Sequence, residues 1–307
     1  MARQSSLALT LRLFACVSLT LVLVACGSGG PEGDASDGKG GISIQNTGSD
    51  TMLQVAQAWS EAYGKVNANV SVEVAGGGSG VGIKDLMQGT VDIANCSRKI
   101  KPAEFQQAVQ NTGKEPKEFI VGFDGIAVYA HPGNPLEDIS LEQLAQIYKE
   151  NGTMTTWSEL GASAGFCPSD EIVRFSRQSN SGTYAFFRKA VLDKGDFKLG
   201  SRDMHGSKDV VDAVAHTACS IGYSGMGDKT DEVKVLAVKK TEGDKAYMPT
   251  IQNVLTKDYP IARPLFIYTL GEPEGEVKAY IDWILSPEGQ KLLASEKYVP
   301  VGSTDAN

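Results

Sequence analysis

The sequence predicts an α/β chain made of two interleaved α/β domains, on three observations. Short apolar runs of β type alternate with amphipathic helical patterns from residue 42 onward, the mark of βαβ units. The body from 42 to 307 exceeds the usual size of a single domain. No polar linker divides it, which favours a chain that leaves the first domain, builds the second and returns. The expected domains are 42–126 with 241–307, and 127–240, with the β-rich run FIVGFDGIAVYA at 119–130 as the crossing strand.

Ahead of the body, Arg3 and Arg12 accompany an apolar run at 13–25 that ends Leu23-Val24-Ala25-Cys26 before Gly and Ser. The run is shorter than the ~20 residues a spanning helix needs. Small residues before a cysteine make 1–25 a lipoprotein signal peptide and Cys26 the lipidation site, an uncleaved anchor helix being the alternative. Either reading puts the body outside the cytoplasmic membrane, on the periplasmic or exterior side. Residues 26–41 hold Gly, Ser and Asp and almost nothing apolar, so they read as a flexible tether.

In the first domain, strands are expected at 42–45, 70–74 and 91–94, alternating with helices at 51–63 and 80–87. The second domain has strands at 172–175, 220–223 and 233–238 and helices at 141–149, 183–192 and 208–216. A return strand at 264–268 and helices at 274–285 and 287–294 complete the first. In such folds ligands sit at the carboxyl ends of strands, in the crevice between domains.

Composition narrows the function classes. With 29 basic and 37 acidic residues the net charge is −8, which speaks against nucleic acid as a partner. Beyond Cys26 and the signal's Cys16, the cysteines are Cys96, Cys167 and Cys219. Cys167 with Cys219 is the preferred disulfide because both fall in the middle segment, the alternative being three buried thiols. His131, His205 and His216 are scattered and no CxxC occurs, so neither metal nor cofactor is expected. An enzyme is not expected either: Asp50, Asp92 and Asp124 are separated acids without a histidine partner, and neither Ser-His-Asp order nor HExxH is present.

Three places join a strand end, a Gly-rich turn with small hydroxyls and a helix start. They are Thr47-Gly48-Ser49-Asp50-Thr51, Gly76-Gly77-Gly78-Ser79-Gly80 and Ser179-Asn180-Ser181-Gly182-Thr183. Helix starts offer unpaired N–H groups, glycine lets the backbone come close, and Ser or Thr adds short donors. Each alone reads equally as an N-cap and turn; together they describe a pocket for a small anion. Arg177, four residues before Ser181, adds a planar, permanently charged fork suited to tetrahedral oxyanions. Arg98, directly after Ser97, is a second candidate, with a solvated surface arginine as the alternative.

These segments carry a resemblance. GSDTM at 48–52, GGGSGVGIKDL at 76–86, GTVDIANCSR at 89–98, RQSNSGTYAFF at 177–187, ACSIGYSGMG at 218–227 and the long stretch 124–161 resemble the phosphate-binding proteins of high-affinity phosphate ABC transporters. The resemblance runs in order over essentially all of 42–307. It implies the periplasmic-binding-protein fold, closing by a hinge on a ligand in the interdomain cleft. It implies inorganic phosphate as ligand and ABC transporter permease subunits as partners; attachment to the membrane is expected through Cys26, and the chain is expected to be a monomer.

By position, the implied phosphate contacts are Thr51, the backbone at Met52, Ser79, Ser97, Arg177, Ser181, Gly182 and Thr183, with Ser49 in the same first motif. Two departures accompany the match. Ser97 stands where well-known members have an aspartate that accepts the phosphate proton and repels sulfate, and Ser179 stands where they pair the arginine with an acid. Asp50, inside the first loop, is the expected substitute acceptor, an ordinary helix N-terminal acid being the alternative. Other tetrahedral oxyanions (sulfate, molybdate, tungstate) and a phosphate-sensing receptor are the alternative functions.

Overall fold

The structure, a computed structural model, describes residues 41–162 and 165–302. The expected signal peptide, Cys26 and all but the last residue of the expected tether lie outside these residues. The first strand, β1 (Ile42–Gly48), leads through a 3-10 turn at Asp50–Met52 into α1 (Leu53–Val66), then β2 (Val70–Ala75), α2 (Ser79–Met87), β3 (Ile93–Cys96) and α3 (Pro102–Thr112). β4 (Pro116–Ala130) is followed by β5 (Asp138–Ser140), α4 (Leu141–Tyr148), β6 (Val173–Arg177), α5 (Gly182–Ala190), β7 (Arg202–Met204), α6 (Ser207–His216), β8 (Ser220–Gly225) and β9 (Lys234–Lys239). Then come α7 (Ile251–Leu255), β10 (Ala262–Leu270), α8 (Gly275–Ile284) and α9 (Pro287–Ser295).

Strand pairing explains how one chain makes two lobes. β2, β1 and β3 lie parallel, and β10 inserts antiparallel between β3 and β4. β4 is long enough to serve twice. Its first part, from Pro116 to Gly125, pairs with β10, and its last five residues pair with β8, with β9 on the other edge. β6 then joins β8 and β7 joins β6, both parallel, while β5 joins β9.

The apolar residues separate in the same way, although the described body is one compact unit. Ile44, Trp59, Val121, Leu265, Ile267 and Tyr280 belong to one buried cluster, with a smaller one around Ile83, Leu86 and Phe266 on the other face of that sheet. Val128, Tyr148, Trp157, Phe187, Val210 and Leu236 belong to another. Val254, Tyr259 and Ile261, expected from the sequence in the first domain, pack in this last cluster. Hydrogen bonds hold them there: Tyr259 Oη donates to Ile126 O at 2.5 Å and the Ile126 N–H donates to Ile261 O at 2.9 Å. The preferred disulfide, Cys167–Cys219, is formed, and Cys96 is a buried free thiol. Among the described residues no helix is long and apolar enough to cross a membrane.

Candidate anion-binding site

The three Gly-rich turns meet where the two lobes touch. The loop after β1 is fastened to β3 by the Ser49 N–H, which donates to Asn95 O at 2.8 Å. Gly48 permits this approach: its φ of 144° lies outside what side chains readily adopt, and a Cβ would run into Asn95 O. Ser49 Oγ donates to Ser97 Oγ at 2.9 Å, and Ser79 Oγ, at the start of α2, lies 3.3 Å from Ser97 Oγ and accepts from the Ser97 N–H at 3.0 Å. All three hydroxyls are buried. Met52, expected to offer its backbone, spends its N–H on Ser49 O at 3.0 Å within the turn.

From the second lobe, α5 points its N-terminus at these hydroxyls. Ser181 caps it, accepting from the Thr183 N–H at 3.1 Å and the Tyr184 N–H at 3.4 Å. Gly182 sits so close that a Cβ would run into both Ser79 Oγ and Ser97 Oγ. Contact between the lobes is direct: Thr51 Oγ1 and Thr183 Oγ1 lie 2.9 Å apart, the Gly80 N–H donates to Asn180 O at 2.9 Å, and Asn180 Nδ2 donates to Gly77 O at 2.9 Å.

Arg177, at the end of β6, is fully buried beneath this contact. Its Nη1 donates to Ser207 Oγ at 2.6 Å, and its Nη2 to His205 O at 2.9 Å and Asp50 Oδ2 at 3.2 Å. Its Nε is buried with no hydrogen-bond partner among the described residues. Asp50 is committed to the protein through both oxygens, since Oδ1 accepts from the Gly77 N–H at 2.8 Å. The structure thus makes Asp50 the counter-ion of Arg177, across the cleft. Arg98 points elsewhere, held by two 2.8 Å hydrogen bonds to Glu104.

Sequence reasoning missed Arg263, Ser207 and the part played by Asp124. Arg263 on β10 is buried, with Nε and Nη2 on Asp124 Oδ2 at 3.1 and 2.8 Å. Its Nη1 donates to Ser97 O at 3.0 Å, and Nη2 also reaches Thr51 Oγ1 at 3.2 Å and Thr183 Oγ1 at 2.9 Å. No local pattern announces it: its partners are 80 to 212 positions away in sequence.

Burial dominates the local electrostatics. It lowers the pKa of Arg177, opposed by the charges of Asp50 and Asp228. It raises that of Asp124 against the pull of Arg263. Asp228 is pushed up to about 7, first by burial and then by the neighbouring charge of Asp124. A surface cavity of about 390 Å³, lined by both basic residues (Lys208, Lys229, Lys297) and acidic ones (Asp212, Glu232, Glu296), reaches Asp228, and none of the expected anion contacts lines it. Among the described residues no group of three or more His, Cys, Asp or Glu gathers to hold a metal ion.

A two-lobed α/β fold with buried hydroxyls and arginines where its lobes meet defines a periplasmic-binding-protein-type receptor of small anions. The PBP superfamily domain matches residues 31–288. The phosphate-binding protein PstS of Pseudomonas aeruginosa is 31% identical over 281 residues, 88% of this chain and 86% of that protein. The PstS of Staphylococcus saprophyticus is 31% identical over 275 residues, 87% of this chain and 82% of its own. A Clostridium perfringens protein assigned as a phosphate ABC transporter substrate-binding protein, solved with bound phosphate, shares the fold with a TM-score of 0.73 at 32% identity, covering 84% of this chain and 99% of that one. This chain belongs to the PstS-type phosphate-binding proteins of the PBP superfamily.

Proposed function

We propose that the chain captures inorganic phosphate outside the cytoplasmic membrane and delivers it to the permease subunits of an ABC transporter, held at the membrane by lipid on Cys26. The observation that carries the ligand class is the buried set of short donors gathered across the cleft from both lobes, with Arg177 Nε–H unpartnered among them. A small oxyanion supplies the acceptor that Arg177 Nε–H lacks among the described residues, and can take over the hydrogen bonds that the hydroxyls of the two lobes make with one another. The names of the relatives and the phosphate in the Clostridium perfringens structure support phosphate as that anion.

The proposed contacts are Ser49, Thr51, the backbone at Met52, Ser79, Ser97, Arg177, Ser181, Gly182 and Thr183, with Asp50 acting through Arg177. The proposed lobes are 42–126 with the returning chain, and the segment between. The clustering of Val254, Tyr259 and Ile261 supports a return near β10 rather than at 241.

A second reading, sulfate, is favoured by one observation: Ser97 brings a hydroxyl, and both Asp50 oxygens are committed to protein groups. Calorimetric titration of ligand-stripped protein with phosphate and sulfate in parallel decides between them. Preference for phosphate supports the proposal, and equal or tighter sulfate binding overturns it. Mass spectrometry of protein from the membrane fraction tests the anchor, which fails if mature protein carries no lipid on Cys26.

A further inference from the structure

Arg263 occupies a particular place in the architecture. It lies opposite Asp124 in the antiparallel register of β10 with β4, one residue before β4 passes from pairing with β10 to pairing with β8. The two strands that link the lobes therefore carry, at their crossing, a fully buried ion pair at 2.8 Å. From this fixed base a single nitrogen, Nη2, reaches Thr51 Oγ1 of the first lobe and Thr183 Oγ1 of the second.

We infer that Arg263 is a positioning residue that turns the O–H groups of Thr51 and Thr183 away from itself and toward the bound anion; the inference rests on the phosphate reading above. A threonine hydroxyl has one O–H and two lone pairs. Where Arg263 donates to the oxygen, the O–H must point away from the guanidinium. The two hydroxyls lie 2.9 Å apart, so without an anion one donates to the other. An anion between the lobes instead draws both protons to itself.

A purely structural role for Arg263 and this one differ in how mutations combine. The test uses ligand-stripped full-length body, with melts by circular dichroism to verify folding and calorimetric titration with inorganic phosphate. Arg263→Gln combined with Asp124→Asn keeps the buried pair neutral, so no charge is stranded. This pair of changes is expected to weaken phosphate at least about tenfold, as is Thr51→Val alone. Adding Thr51→Val to the neutral pair is expected to cost less than about threefold more, because the hydroxyl's orientation is already lost. Unchanged affinity in the neutral pair, or losses that multiply in the triple variant, overturns the inference while leaving phosphate binding in place. If the neutral pair does not fold, Arg263→Lys decides: it keeps the charge beside Asp124 without the fork, and full wild-type affinity there overturns the inference. Wild type that takes up no phosphate overturns the functional reading itself, and this inference with it.

Discussion

Two buried guanidiniums sit in the site, each held by one carboxylate, Arg177 by Asp50 and Arg263 by Asp124. Truncating the partner of a desolvated anion costs far more than losing a surface charge. Arg177→Ala is therefore expected to lower phosphate affinity at least about a hundredfold, roughly 3 kcal/mol, with the fold retained. Calorimetry beside a circular dichroism spectrum checks it. Asp50→Asn is expected to change phosphate and sulfate affinities by similar factors, because Asp50 acts through Arg177. A selective loss of phosphate would instead make it the reader of the phosphate proton. Asp228 yields a stability prediction. Its carboxyl titrates near 4 when unfolded but about 7 in the fold. Between those values the native chain holds a proton that the unfolded chain has lost, so its contribution is full below about pH 4 and disappears as pH rises to 7. Asp228→Asn is expected to gain on wild type between pH 4.5 and 8, by at most about 1.4 kcal/mol per pH unit, read by urea denaturation. An equal difference at both pH values rejects it. At this scale the sequence disclosed residues whose neighbours in the chain announce them, such as Arg177 and Ser181 in RQSNSGT. Arg263 was silent because every partner it has comes from a distant segment.

Elements were legible where periodicity is strong. β4 was found from its long, largely apolar run, broken only by Asp124 and two glycines, although it begins earlier than expected, at Pro116. α3 was missed. Its residues, PAEFQQAVQNT, bury Ala108 alone, so no apolar stripe marks it, and its start is fixed by polar chemistry: Glu104 accepts from the Lys101 N–H at 2.8 Å and from Arg98. β5 and β7 have three residues each, too few for any period to show. The Cys167–Cys219 bridge ties the segment before β6 to the start of β8 across 52 positions. It lies at the end of β8 remote from the crossing, beyond the pairing of Ile221 with Ala130. Reduction is expected to remove ~2–4 kcal/mol of stability and to leave phosphate affinity within about twofold. Thermal melts and titrations with and without reductant measure both, and a large loss of affinity in still-folded protein would tie the bridge to the site.

At the scale of the molecule, the pairing of β10 between β3 and β4 sets an order of assembly. The second lobe's strands β6, β7, β8 and β9 all precede β10 in the chain, and β8 and β9 pair with the end of β4, so these contacts need nothing from β10. The first sheet must wait. β3 and the first part of β4 each lack a neighbour until a strand some 170 residues downstream of β3 arrives, and closing so long a loop is slow. Pulse-labelled hydrogen exchange during refolding is expected to protect amides of β8 and the end of β4 before those of β3 and β10. The reverse order would refute this sequence of events. While the gap is open, β3 offers an unpaired edge beside apolar surface, the kind of template on which chains stick to one another. A chain secreted amino end first would meet that hazard at every synthesis, and the last quarter of the polypeptide, though it supplies a single strand and two helices to the first lobe, ends it.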